Sequence, residues 1–348
     1  MKGNSENLEA KTKTTQSTFS KVLHSLQLQT NHCSYFNVIY HSQGFGDTKL
    51  VPDIQPEVLE KIIKSSKAWT EDQSTMEELW SLVKEPMFSL NDREKQLGLG
   101  QKGITTYFTP NCTSEDSDKI NKFFKSINLE GYINRVIKTS KGGDGGRDLY
   151  EIRHAASDSS VIKDKQIFED AEFIVTAGDY NQLLAKVNEN LVKAAEYSAN
   201  SDEKNMLENY VKSFKEGSLD AHKDGSRFWI KNKGPAVETY IGFIETYRDP
   251  VGMRGEFEGF VAMVNKEQSA KFQELVDNAE KFMTYLPWPA EFEKDKFLRP
   301  DFTSLDVLAF AGSGIPAGIN IPNCKYNFYS EAISNLVYSV KLFIDILD

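Results

Sequence analysis

Two side chains in the run Val237-Glu238-Thr239-Tyr240-Ile241 have the types and spacing to do chemistry together. The alternation is that of a β-strand, whose side chains repeat every two residues, so Glu238 and Tyr240 share a face. A carboxylate beside a phenol can hold an amine and reach a carbonyl oxygen. The plainer reading is a half-buried strand with a solvated face, which is all that alternation specifies. The surrounding stretch, Phe228–Pro250, gathers Phe228, Trp229, Phe243 and Tyr247 about that strand.

The other candidate chemistries fall away on inspection. His24, His32, His41, His154 and His222 include no pair at i, i+4 or i, i+5, the spacing with which a helix presents two imidazoles to one metal. No metal site is expected within these residues. Gly98-Leu99-Gly100-Gln101-Lys102-Gly103 matches G-x-G-x-x-G, but the helix-like run 92–97 precedes it and the β-rich run 104–108 follows. A dinucleotide fingerprint needs the opposite order, so these glycines read as a helix stop leading into a strand. Ala311-Gly312-Ser313-Gly314 lacks the first glycine of a nucleophile elbow. Cys33, Cys112 and Cys324 lie far apart, offering neither a disulfide framework nor a zinc clamp, and suit a reducing compartment. Arg248, Asp249, Arg254, Glu256 and Glu258 read as a charge-paired turn.

The chain has 348 residues, enough for a large core, and a net charge of −10, which disfavours nucleic acid and anionic membranes as partners. The start has no apolar core of a signal peptide, and no stretch has the length of a membrane span. A cytoplasmic location is the expectation.

Residues 1–17 are polar and read as a disordered tail. A helix is predicted from Pro56, with Val58, Leu59, Ile62 and Ile63 on one face, and another over Met76–Val83, which Pro86 ends or closely follows. Arg135–Lys138 and Leu149–Arg153 read as strands flanking a glycine-rich tip, and Glu172–Thr176 as a further strand. The next helix is predicted to start at Asp179, with Gln182 completing a capping box. Its successor follows Asp202 and stops at Gly217. Lys266–Met283 reads as one helix from Asn265, with Phe272, Leu275, Val276, Ala279, Phe282 and Met283 in the core. Leu305–Phe310 is a buried run. Ile333, Leu336, Val337, Val340, Ile344 and Leu347 suit a short amphipathic helix.

Four stretches carry a resemblance: GFGDTKLVP (44–52), GLGQKGITTYF (98–108), the long segment 226–266 around VETYIGFIETYRDP, and FTSLDVLAFAGSGIPAGINIPN (302–323). In this order they resemble the dipeptidyl peptidase III family of zinc aminopeptidases. The resemblance implies an α+β fold, mainly the β-containing lower lobe of a two-lobed enzyme with part of its helical lobe. It spans residues 18–323, with about 259–303 towards the helical lobe, and leaves 324–348 as a tail unlike the family, expected to reflect an alternative or mispredicted end.

The resemblance also implies a site. Glu238 and the pair Asn320 and Asn323 would hold the free α-amino group of a short peptide. Tyr240 would donate to the scissile carbonyl. The backbone around Gly314, Ala317 and Ile319 would pair with the peptide as an added strand. The family's zinc motif, H-E-x-x-x-H, does not occur in these residues. The expectation is therefore a peptide-binding part with no cofactor of its own, inactive alone; the alternative is a non-catalytic peptide-binding or interaction protein.

Overall fold

The structure, a computed structural model, describes residue 49 and residues 51–232, 234–246, 248–292, 301–311, 318–320 and 336–340. It is α+β, as the resemblance implies, with two sheets, each carrying helices.

The first sheet holds β1 (Asn134–Thr139), β2 (Leu149–Ala155), β3 (Ser160–Phe168) and β4 (Ala171–Asp179) in the order β1-β2-β4-β3. β1 and β2 form the expected hairpin, with Gly145 and Gly146 at positive φ in its tip. Helix α4 (Ser114–Ser126) follows α1 (Pro56–Lys64), α2 (Lys67–Glu71) and α3 (Gln73–Phe88). Thr113 and Asp116 close a capping box at its start. Its Ile120, Phe123 and Phe124 pack with Val136, Tyr150, Ile152, Phe173 and Val175 of the sheet, and the Phe123 and Phe173 rings stack 4.2 Å apart.

The second sheet runs β5-β6-β7-β9-β8, from β5 (Val237–Phe243), β6 (Phe257–Val264), β7 (Asp301–Ala311), β8 (Gly318–Asn320) and β9 (Leu336–Val340). Helices α5 (Asn181–Ala195), α6 (Ser201–Glu216) and α7 (Leu219–Trp229) pack in succession and share its core. Met206, Leu207, Tyr210 and Phe214 of α6 lie at helical spacing and are buried there. Gly217 takes the left-handed conformation that ends α6, as expected.

Several expectations are corrected. α3 runs through Pro86 to Phe88, because a proline forfeits one helical hydrogen bond and two of the carbonyls left at that end accept from Lys49 Nζ. Helix α5 has Tyr180 at its N-cap with φ of 59°, and Asp179 makes no cap because Arg135 takes both its carboxylate oxygens. The predicted helix over Lys266–Met283 divides into α8 (Lys266–Asp277) and α9 (Ala279–Met283) at Asn278. Of its stripe, Val276 is buried while Leu275 and Phe282 are exposed. In α1, Val58 and Ile62 are likewise exposed. The tail pattern is β9 over residues 336–340, parallel to β7 and antiparallel to β8. Two neighbouring strands there satisfy a short backbone rich in β-branched and aromatic residues.

β5 passes close over α7. A Cβ placed on Gly242 would stand 2.5 Å from Cε1 of His222. Replacing Gly242 by Ala is expected to cost about 1–3 kcal/mol through overpacking, read as a lower urea midpoint with unchanged slope. An unchanged midpoint would show that the two elements separate readily.

Candidate functional site

β5 is buried along almost its whole length, on both faces, so the solvated face expected from its alternation is absent. Glu238 and Tyr240 do share a face, and that face meets α7. The helix presents His222, Ser226 and Trp229 at i, i+4 and i+7, which is one side of a helix. Trp229 Nε1 donates to Glu238 Oε1 at 2.6 Å, and the same oxygen lies 3.2 Å from the Thr239 N–H. The Tyr240 hydroxyl lies 3.2 Å from His222 Nε2 and 3.3 Å from Ser226 Oγ. The Trp229 and Tyr240 rings are 4.6 Å apart. Both Glu238 and Tyr240 are 2% exposed.

This arrangement follows from the cost of burying polar atoms. A buried carboxylate or phenol without a partner costs up to several kcal/mol, so a strand carrying both inward favours hydrogen-bonding groups opposite them. α7 supplies these, and Gly242 lets its His222 approach. Burial pushes the His222 imidazole down to about 4, so it is neutral at physiological pH. Tyr210 of α6 lies against the same group, its ring 5.9 Å from His222 and 6.3 Å from Tyr240, and burial raises its phenol well above the usual value.

Beyond β5 the chain changes character. Arg248 pairs with Glu256 at 3.6 Å, and Arg254 approaches Asp249 at 3.4 Å, so the charge-paired turn is present. Glu258 and Glu245 stand apart from it. Both are half-buried, and among the described residues neither carboxylate has a hydrogen bond or ion pair. Burial, and then the Glu245 and Glu256 carboxylates, push the Glu258 acid up to about 8; burial also raises Glu245. A cation placed beside them would favour the ionised form of each. Sequence reasoning passed over Glu245 and placed Glu258 in the paired turn; two acids bracketing an Arg-rich turn were the only signal.

The remaining predicted site residues lie at the opposite edge of the sheet. Ile319 and Asn320 belong to β8, opposite Tyr338 and Val337 of β9, and β8 is the edge strand of the described sheet. Gly314, Ala317 and Asn323 lie outside the described residues, as do His24, His32 and His41.

The described residues do not fit the zinc that the resemblance implies. Among them no three His, Cys, Asp or Glu side chains converge on a common point. His154 has Nδ1 on Asn134 Oδ1 at 2.8 Å and Nε2 on the Gly217 carbonyl at 2.7 Å, so both nitrogens are engaged within the fold. Among the described residues no helix is long and apolar enough to cross a membrane.

Two sheets with these helices define a known architecture. The structure of DPP III from Caldithrix abyssi matches with a TM-score of 0.52, covering 94% of this chain and 55% of that one at 15% identity. That of dipeptidyl-peptidase III from Corallococcus sp. strain EGB matches with a TM-score of 0.50 and covers 53% of its length. At such identity the likeness shows the fold alone. The sequence is more telling: residues 79–340 match peptidase family M49, and the chain belongs to that family. The matched stretch runs past Asn323 and takes in β9. Dipeptidyl peptidase 3 of Rattus norvegicus is 53% identical over 311 residues, 86% of this chain and 42% of the relative. The protein of that name from Nematostella vectensis is 46% identical over 316 residues, 87% of this chain and 43% of its own length. The chain spans less than half the length of the curated relatives it matches.

The neutral His222 makes stability depend on pH. Its folded value of about 4 lies below the unfolded value near 6.5, so the unfolded chain takes up the proton first. The His222 contribution to stability should therefore fall by roughly 3 kcal/mol as pH drops from about 6.5 to 4, while Glu258, raised to about 8, contributes in the opposite sense down to about 4.5. His154, also lowered by burial, adds to the slope. Urea unfolding of wild type against His222→Gln across that range checks the sign: the stability advantage of wild type over the variant should shrink as pH drops.

Proposed function

We propose that this chain is a peptide-holding part of a dipeptidyl peptidase of family M49, binding short peptides by their free amino end. Family membership supports the peptidase class. The observation that carries the binding mode is the pair of half-buried carboxylates, Glu245 and Glu258, without a cation partner among the described residues. A peptide α-ammonium is a cation, and charge-assisted hydrogen bonds to carboxylates are strong. The edge strand β8 supports main-chain pairing with an extended peptide, and we assign Gly314, Ala317, Ile319, Asn320 and Asn323 to that contact by resemblance.

Glu238 and Tyr240 take a different place in this reading. The family resemblance offers them as ammonium holder and carbonyl donor, whereas their burial against α7 favours a role in fastening β5. We adopt the second. Substituting Glu238 by Gln or Tyr240 by Phe should then lower stability and leave the peptide affinity of the folded protein unchanged. A loss of affinity at unchanged stability would restore the first role.

Hydrolysis requires an activated nucleophile, and these residues supply neither the H-E-x-x-x-H motif nor another zinc set among those described. The 348-residue chain should bind peptides without turning over an Arg-Arg-naphthylamide substrate, with or without added zinc. Zinc-dependent turnover would overturn this. Calorimetry should show a short peptide with a free amino terminus binding better than its acetylated form. Glu245→Gln or Glu258→Gln should erase the difference. Since Glu258 ionises only near pH 8 while the peptide amine loses its proton there, affinity should climb from about pH 6 and peak near 8. A flat profile would count against the acidic pair.

A further inference from the structure

The stripe of α8 and α9 has the make-up of a buried helix face, yet it lies at the surface. Leu275, Phe282 and Leu286 stand at i, i+7 and i+11, one side of a helix, and are 52%, 44% and 39% exposed. The helical ladder carries across the division at Asn278, whose N–H donates to the Glu274 carbonyl and whose carbonyl accepts from Phe282. Past α9 the turns go on, with Leu286 N–H donating to the Met283 carbonyl, so the three side chains belong to one face. Tyr285 and Phe292, next along the chain, are more exposed still.

On another side α8 is anchored to β7. Asn265 N–H donates to the Ser304 carbonyl at 2.9 Å, Ser304 N–H donates to Ser269 Oγ at 3.0 Å, and Val276 is buried. The helix is thereby fixed with its leucine and phenylalanine turned outward. A charged pair, Glu267 and Lys271 at 3.1 Å, flanks them. Exposed apolar faces with polar borders mark sites of association. Two facts name the partner. Residues 79–340 match peptidase family M49 and include the whole stripe, so the face belongs to the family fold. Less than half of the Rattus norvegicus relative is matched by this chain, which leaves the larger part of a family member to pack there. A second copy fits less well, because two chains of net charge −10 repel.

We propose that the Leu275–Phe282–Leu286 face is a docking surface for the portion of an M49 peptidase that lies outside the matched stretch, met as a separate polypeptide. The apolar stripe forms the centre of the contact, and Glu267 and Lys271 its rim. The proposal rests on family membership and not on the peptide reading, and its readouts use no peptide.

Co-expression of the full 348-residue chain with the portion of the Rattus norvegicus protein outside the match tests this. The expected result is co-purification as a one-to-one complex, weakened about tenfold or more by Leu275→Asp with Phe282→Asp. The Tm of the chain alone should stay within about 2 °C, since both residues are exposed in it. Where that portion is insoluble with either form of the chain, the same substitutions at the aligned positions of the whole Rattus norvegicus protein decide. There they should lower Tm by several degrees more than in this chain. A soluble portion that does not bind, binding that the substitutions leave unchanged, or equal Tm shifts in the two proteins overturns the proposal. So does a dimer of the chain alone that the substitutions break.

Discussion

A carboxylate and a phenol on the inward face of a strand are costly to bury without partners, and the second half of this molecule is arranged to provide them. Trp229, Ser226 and His222 stand on one side of α7 and meet Glu238 and Tyr240 in turn. That requirement explains Gly242, which has no Cβ because His222 occupies the space. It explains why His222 is neutral, since a charged imidazole there would face only desolvation. Tyr210 extends the layer to α6, and the apolar residues of α5, α6, β5 and β6 close around it as one core.

The same strand leaves that core and delivers a different kind of surface. Past Phe243 the backbone pairs Ile244 with Glu256, and Tyr132 holds the Ile244 carbonyl, so the chain stays ordered as it departs from the sheet. The acids that follow are sorted by the turn: Asp249 collects backbone N–H groups, Glu256 takes Arg248, and Glu245 and Glu258 are left half-buried with no cation partner among the described residues. Unpaired acids of this kind destabilise a fold, and they persist where a cation completes them.

Much of this was legible in the sequence. The alternation at 237–241 placed Glu238 and Tyr240 on one face, and four motifs in order marked the family. The side on which that face would be covered was not legible, because periodicity fixes which residues share a face and says nothing of what packs against it. The Asp179 cap was lost to Arg135, forty-four residues earlier, a competitor that no local rule contains. The α8–α9 stripe had the spacing of a core helix, yet Leu275 and Phe282 are exposed, since spacing alone does not supply an opposing surface. The residues at 336–340 fit a helix by pattern and became a strand through pairing with β7, a long-range contact that local propensity cannot foresee.

The central claim is that Glu238 is fastened to α7 rather than open to a ligand. Hydrogen exchange of the Trp229 indole N–H, followed by NMR on the 348-residue chain, addresses it directly. A short bond to a buried carboxylate predicts a downfield-shifted proton that exchanges only when the fold opens, and that returns to the free indole position in Glu238→Gln. An indole proton at the free position in wild type, exchanging in seconds, would mean that the carboxylate faces elsewhere and that β5 is held by something else.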